Sequence, residues 1–193
     1  MVGLKIGLDI GTGYITAAVE GKGVVLCEPA VIALERETGE VIEVGTKAAE
    51  MIGRCPDAIK LVKPILSGGV SELENTEKLL KVFLERICKN KIFRPTVVAT
   101  MPVGITNLEK RNILGCIRRA GAGRETLIEE PLAAALGIGV MLDKPYGTMI
   151  VDIGAGTTSV AVVTMGSIAV AKSVPVGGNN MDKLIKDYLK VTR

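Results

Sequence analysis

Histidine and tryptophan are both absent from this chain of 193 residues. Without histidine, the Ser-His and Cys-His arrangements of nucleophilic catalysis are excluded. Cysteine is sparse: Cys27, Cys55, Cys88 and Cys116 stand singly, with no C-x-x-C pair. That argues against a zinc site and a disulfide framework and for a reducing compartment. Aromatic residues make up only 3% of the chain, so stacking on nucleic acid bases is not expected. No long run of one charge occurs, and a net charge of +3 says little about partners. The longest apolar stretch, residues 131–142, contains Pro131, Gly137 and Gly139 and is too short to span a bilayer. Asp9 interrupts the apolar start of the chain, so no signal peptide is expected.

Apolar residues are plentiful. They form 48% of the chain, and the mean hydropathy is +0.38. This is enough for one sizeable core or two small ones, and it fits strands buried on both faces. The most informative stretch is Met149-Ile-Val-Asp-Ile-Gly-Ala-Gly-Thr-Thr-Ser-Val-Ala-Val-Val163. An apolar run climbs to Asp152, a turn carries Gly154 and Gly156, and a β-branched run leads away. The pattern predicts a β-hairpin whose turn presents backbone N–H groups. Such a turn can cradle an anion without a basic side chain, and Asp152 at its mouth suits a divalent cation on that anion.

The stretch has an echo 143 residues earlier, Lys5-Ile-Gly-Leu-Asp-Ile-Gly-Thr-Gly-Tyr-Ile-Thr-Ala-Ala-Val19. Asp9 matches Asp152, Gly11 matches Gly154, Gly13 matches Gly156, and Gly23 matches Gly166. Two copies at one constant offset predict a duplicated domain, with one turn gripping a shared ligand from each side. The plainer alternative is a pair of ordinary hairpins with glycines at positive φ, which leaves the paired aspartates unexplained. Other nucleotide motifs fail: no G-x-x-x-x-G-K-[ST] occurs, and Thr16 and Ser159 stand where a dinucleotide fold needs its third glycine.

Along the chain, residues 4–10, 14–20 and 23–27 read as strands, 41–44 as a short strand and 46–53 as a small helix. Ser71-x-x-Glu74 and Thr106-x-x-Glu109 read as capping boxes for helices near 74–89 and up to Gly121. Residues 96–101 and 127–129 read as strands, and 131–137 as a helix opened by proline. After the second hairpin come a strand at 166–175 and a final helix with Met181, Leu184, Ile185, Tyr188 and Leu189 on one face. Strand meanders followed by strand–helix alternation predict an α/β sheet flanked by helices.

These segments resemble the actin-like ATPase superfamily of actin, Hsp70 and sugar kinases, and within it the MreB family of bacterial actins. Gly21-Lys-Gly-Val-Val-Leu-Cys-Glu-Pro29 is similar to that family's G-K-G-I-V-x-N-E-P. Pro102-Val-Gly-Ile-Thr106 with Glu109-Lys-Arg111 is similar to P-x-G-I-T-x-x-E-R-R. Leu127-Ile-Glu-Glu-Pro-Leu-Ala-Ala-Ala135 is similar to L-I-E-E-P-x-A-A-A, and Asp152-Ile-Gly-Ala-Gly-Thr-Thr158 to D-I-G-G-G-T-T. Thr38-Gly-Glu-Val-Ile-Glu-Val-Gly45 resembles the family's inserted subdomain, which argues against a sugar kinase. Departures are Leu66-Ser-Gly-Gly-Val-Ser-Glu-Leu73 for R-D-G-V-I-A-D-Y, Tyr14 for a small polar residue, Ser159 for glutamate, and Asn179-Asn180 for Asp-Glu.

The resemblance implies an actin-like (ribonuclease H-like) α/β fold. Its first domain would span 1–32 and 66–146 and lack only its C-terminal return. A small inserted subdomain would span 33–65, and a second domain would be only begun at 147–193. It implies ATP and Mg2+ as ligands. Gly11, Thr12, Gly13, Gly154, Ala155, Gly156, Thr157 and Gly178 would hold phosphates, and Asp9 and Asp152 the magnesium through water. Glu130 and Thr158 would act on the attacking water. The implied role is a cytoplasmic filament protein of cell shape that self-associates and does not bind nucleic acid. Ile92 and Phe93, between Lys89, Lys91 and Arg94, would touch the inner membrane face near membrane-bound cell-wall synthesis proteins. The alternative is a shortened, non-hydrolysing relative that docks on full-length filaments, or a degenerate fragment.

Overall fold

The computed structural model describes residues 3–66, 69–89 and 92–191. The chain opens with an antiparallel meander of β1 (Lys5–Ile10), β2 (Tyr14–Val19) and β3 (Gly23–Pro29). A separate small sheet follows, made of β4 (Ile32–Glu35), β5 (Val41–Val44) and, after helix α1 (Thr46–Glu50), β6 (Ile59–Val62), in the order β5-β4-β6. A two-stranded pair, β7 (Ile65–Leu66) and β8 (Gly69–Val70), leads into α2 (Leu73–Cys88). Next come β9 (Thr96–Met101), α3 (Asn107–Arg119), β10 (Arg124–Glu129) and α4 (Glu130–Gly137). β9 joins β1 in parallel and β10 joins β9, so the main sheet runs β10-β9-β1-β2-β3. A second meander, β11 (Thr148–Ile153), β12 (Thr158–Thr164) and β13 (Ser167–Val174), forms its own sheet, and α5 (Gly178–Val191) follows.

Alternation along β1 decides which face is covered. Ile6, Leu8 and Ile10 are buried, whereas Lys5, Gly7 and Asp9 lie on the other face. Leu79, Leu80, Phe83 and Leu84 of α2, with Ile113, Cys116 and Ile117 of α3, pack on the buried face and complete the main core. The Thr106–Glu109 capping box is formed in full at the start of α3. The one expected at Ser71 is not: its hydroxyl donates to the Pro64 carbonyl at 2.8 Å, and Glu72 takes the N-cap. At α1 the cap is borrowed. Gly45 has no side chain to offer, and the Thr46 N–H donates to the Glu28 carboxylate of β3 at 2.7 Å.

The repeat read in the sequence is a repeat in space. β11 begins 143 residues after β1 and has the same length of 6 residues. Asp9 pairs across its hairpin with Thr16, as Asp152 does with Ser159. The two meanders differ in cover. No residue of α5 is buried, and Met181, Leu184, Ile185, Tyr188 and Leu189 are 48% to 71% exposed. Met149, Val151 and Ile153 of β11 are also exposed. Among the described residues no helix is long and apolar enough to cross a membrane.

Candidate functional site

The hairpin turns are built alike. The Gly11 N–H donates to the Tyr14 carbonyl at 3.1 Å, and the Gly154 N–H to the Thr157 carbonyl at 2.8 Å, the same bond one repeat later. Each turn is braced from behind. The Ala30 N–H donates to the Gly13 carbonyl at 3.0 Å; the N–H groups of Gly178 and Asn179 donate to the carbonyls of Gly154 and Ala155 at 3.0 and 2.9 Å.

The turns meet tip to tip. A Cβ on Gly13 would lie 2.9 Å from the Cβ of Ala155, and one on Gly156 would lie 2.7 Å from the Thr12 hydroxyl. Ala155 is the repeat of Thr12, and Gly156 the repeat of Gly13, so the contact is reciprocal, as a local two-fold requires. None of Gly11, Gly13, Gly154 and Gly156 has positive φ. The ordinary-hairpin alternative, with glycine chosen for its backbone freedom, is therefore not what these positions express. A side chain on Gly13 or Gly156 would wedge the turns apart, whereas one on Gly11 or Gly154 would meet a carbonyl of its own turn, that of Tyr14 or Thr157. Within the two meanders positive φ occurs in the outer turns, where Gly23 and its repeat Gly166 share a φ of 73°.

Between the turns lies a cleft of about 220 Å³, lined by both turns, Asp9, Glu130 and Asp152. Among the described residues no lysine or arginine lines it. An anion there would be held by backbone N–H groups, hydroxyls and a cation. Asp9 accepts a hydrogen bond from the Thr100 hydroxyl of the neighbouring strand β9 at 2.7 Å. Glu130 is the first residue of α4, held there because Pro131 opens the helix directly after β10. A helix N-terminus ordinarily favours a carboxylate. Here burial outweighs that, with the charges of Asp9 and Asp152 adding to it, and the Glu130 carboxyl is pushed up to about 7. Burial, then Asp9, also raises Asp152. Among the described residues no group of three or more His, Cys, Asp or Glu is arranged to ligate one ion directly. The acids fit a cation held through water, whose charge would relieve their mutual repulsion.

The structure thus brings together Asp9, Gly11, Thr12, Gly13, Glu130, Asp152, Gly154, Ala155, Gly156 and Thr157. Thr158 and Gly178 stand apart from the lining. The Thr158 hydroxyl is committed to the Val176 carbonyl at 2.8 Å, and Gly178 braces the second turn from behind. Ile92 and Phe93 are 93% and 47% exposed. They precede β9, whose Thr96 pairs with Lys5 at the start of β1, so they sit at the opposite end of the sheet from Asp9. Of the segments named above, Ser67, Gly68, Asn90 and Lys91 lie outside the described residues. Tyr14, which the sequence flags only as a departure, also lines the cleft. Its signal was the repeat, since it stands where the second turn carries Thr157.

A family model described as MreB/Mbl protein matches residues 3–192. The cell shape-determining protein Mbl of Bacillus cereus is 39% identical over 191 residues, covering 98% of this chain and 57% of Mbl. The cell shape-determining protein MreB of Escherichia coli is 37% identical over 191 residues, covering 96% of this chain and 55% of MreB. Among solved structures, MreB5 of Spiroplasma citri bound to ADP superposes with a TM-score of 0.90 at 34% identity, covering 98% of this chain and 57% of that one. The same protein bound to AMPPNP also superposes with a TM-score of 0.90. The chain spans a little over half the length of these relatives.

Proposed function

Because the chain belongs to the MreB/Mbl protein family, we propose that it is an actin-like protein of cell shape whose cleft takes the phosphate chain of ATP. The observation that carries this reading is the reciprocal seating of the two glycine turns with Asp9, Glu130 and Asp152 around one hollow. The ADP and AMPPNP bound to MreB5 support it. A cleft of about 220 Å³ is smaller than the roughly 300–1,000 Å³ of sites that enclose a whole small ligand. It suits the phosphates, and the base would rest on the further length that the relatives have.

In this reading Gly11 and Gly154 close the two turns, and the N–H groups at 12–13 and 155–156, with the Thr12 and Thr157 hydroxyls, hold phosphate oxygens. Asp9 and Asp152 hold Mg2+ through water, and the ion supplies charge neutralisation at those oxygens. Glu130 orients the attacking water and accepts its proton. Placement and charge then supply most of the catalysis. Thr158 positions the second turn through Val176. Residues 1–32 with 66–146 act as one domain carrying the inserted 33–65, and 147–193 begin the second. The chain self-associates into filaments in the cytoplasm, and Ile92 and Phe93 rest on the membrane near cell-wall synthesis proteins.

Phosphate release from ATP, measured beside equilibrium binding of ATP and ADP, tests the reading. Mg2+-dependent release that is lost in Glu130→Ala while binding persists is expected. Absence of any nucleotide binding refutes it. The exposed apolar faces of β11 and α5 favour a second reading, in which the chain binds nucleotide without hydrolysis and docks on full-length filaments. Binding without release, together with co-sedimentation with such filaments, would select it.

A further inference from the structure

The two turns differ at two positions. Thr12 against Ala155 is taken up by the contact between the tips. Tyr14 against Thr157 is not, and both residues line the cleft. Tyr14 is the first residue of β2 and alternates with buried Ile15. Its side chain therefore shares a sheet face with Thr16, the cross-strand partner of Asp9. It is 58% exposed, although no exposed position on a strand end requires an aromatic ring.

The cleft is short of donors. With no basic side chain in the lining, its side-chain donors are the hydroxyls of Thr12, Tyr14 and Thr157. A threonine hydroxyl stands on Cβ, whereas a phenol stands at the far end of a ring and reaches past the turn. Unlike a lysine or arginine, it donates beside three acids without bringing a charge to desolvate. Tyr14 closes the first turn, its carbonyl accepting from the Gly11 N–H, and it lines the same cleft as Glu130.

We propose that Tyr14 is a specificity-determining residue of the cleft, donating its phenol hydroxyl to the terminal phosphate of a bound nucleoside triphosphate. This rests on the nucleotide reading above and adds to it a residue that tells triphosphate from diphosphate. A diphosphate, one phosphoryl group shorter, ends before the phenol and gains nothing from it. Hydrogen bonds to a charged phosphate are strong enough that losing one weakens binding about 10-fold or more.

The test is equilibrium binding of ATP and ADP, each with Mg2+, to the intact chain, Tyr14→Phe and Tyr14→Thr. Tyr14→Phe keeps the ring, and thermal melting verifies that it folds. The expected result is about 10-fold weaker ATP binding in Tyr14→Phe with ADP binding unchanged. Tyr14→Thr should behave in the same way, because its hydroxyl is too short. Unchanged ATP affinity in Tyr14→Phe, or an equal loss for ATP and ADP, overturns the proposal and leaves the nucleotide reading standing. A wild-type chain that binds neither nucleotide overturns both.

Discussion

Neutralising Glu130 should make the protein more stable at alkaline pH, though it removes the side chain on which hydrolysis is proposed to depend. The folded carboxyl titrates at about 7 against an ordinary value of 4.5. Between these values the folded chain keeps a proton that the unfolded chain has released. Stability tracks the difference in bound protons, so it falls as pH rises through this window and stays low above it. A shift from 4.5 to about 7 corresponds to roughly 3 kcal/mol at most. The side chain is only partly buried, so solvent screening brings the expected contribution nearer 1–2 kcal/mol. Asp152, raised by the same burial, acts with the same sign.

Glu130→Gln keeps the shape and cannot ionise. At pH 5 it should melt with the wild type. At pH 8 it should melt higher by about 3–6 °C, the shift that such an energy makes in a chain of this size. Millimolar Mg2+ should narrow the gap by stabilising the ionised wild type, and calorimetry in chelator and in Mg2+ reads both effects. A variant less stable than wild type at pH 8 would show that Glu130 is not a strained acid held by its neighbours. A gap equal at pH 5 and pH 8 would assign the effect to packing.

Three further predictions concern glycines and the exposed apolar pair. Gly156→Ala places a methyl 2.7 Å from the Thr12 hydroxyl; it should weaken nucleotide binding at least 10-fold, and added Thr12→Ala should restore part of it. A full-affinity Gly156→Ala would refute the tip-to-tip seating. Gly45→Ala combines a φ of 67° with a Cβ 2.1 Å from Glu28 Oε2, so urea unfolding should report a loss of at least about 1–3 kcal/mol; a loss below about 0.5 kcal/mol would mean that Glu28 does not cap α1. Ile92→Ser with Phe93→Ser should abolish pelleting with anionic liposomes and leave the melting temperature unchanged, and undiminished pelleting would dismiss the membrane contact.

The repeat was legible because it is written twice at one spacing, and spacing survives translation into strands: the Asp9–Thr16 and Asp152–Ser159 pairings have the same register. The reason for the four glycines was not legible. Sequence alone offers positive φ as a reason, whereas Gly13 and Gly156 answer Ala155 and Thr12 of the opposite turn, which only the folded chain brings near. Local capping chemistry was legible only where it stayed local. Thr106 bonds to its own third residue, but Ser71 has the Pro64 carbonyl within reach. Likewise, Thr158 sits in a phosphate-loop pattern yet turns its hydroxyl to Val176. The strands β6, β7 and β8, of 4, 2 and 2 residues, are too short for an alternating pattern to declare them.

How the cleft would open and close follows from α4. This helix leaves the main sheet at β10, but its Ala135 is buried with Ile150 of β11 and Val163 of β12, and Leu132 and Ala134 pack beside them. Glu130 therefore stands where the main sheet ends and a helix seated on the second meander begins, with Asp9 on one sheet and Asp152 on the other. A rotation of one sheet against the other would move Asp152 and the second turn relative to Asp9 and the first turn, with Glu130 at the junction where β10 of the main sheet passes into α4. The tips contain no side chain larger than Thr12 and no charged side chain. A phosphate chain bound to both sets of N–H groups would oppose that rotation. Under the nucleotide reading proposed above, ligand binding and closure would be one event.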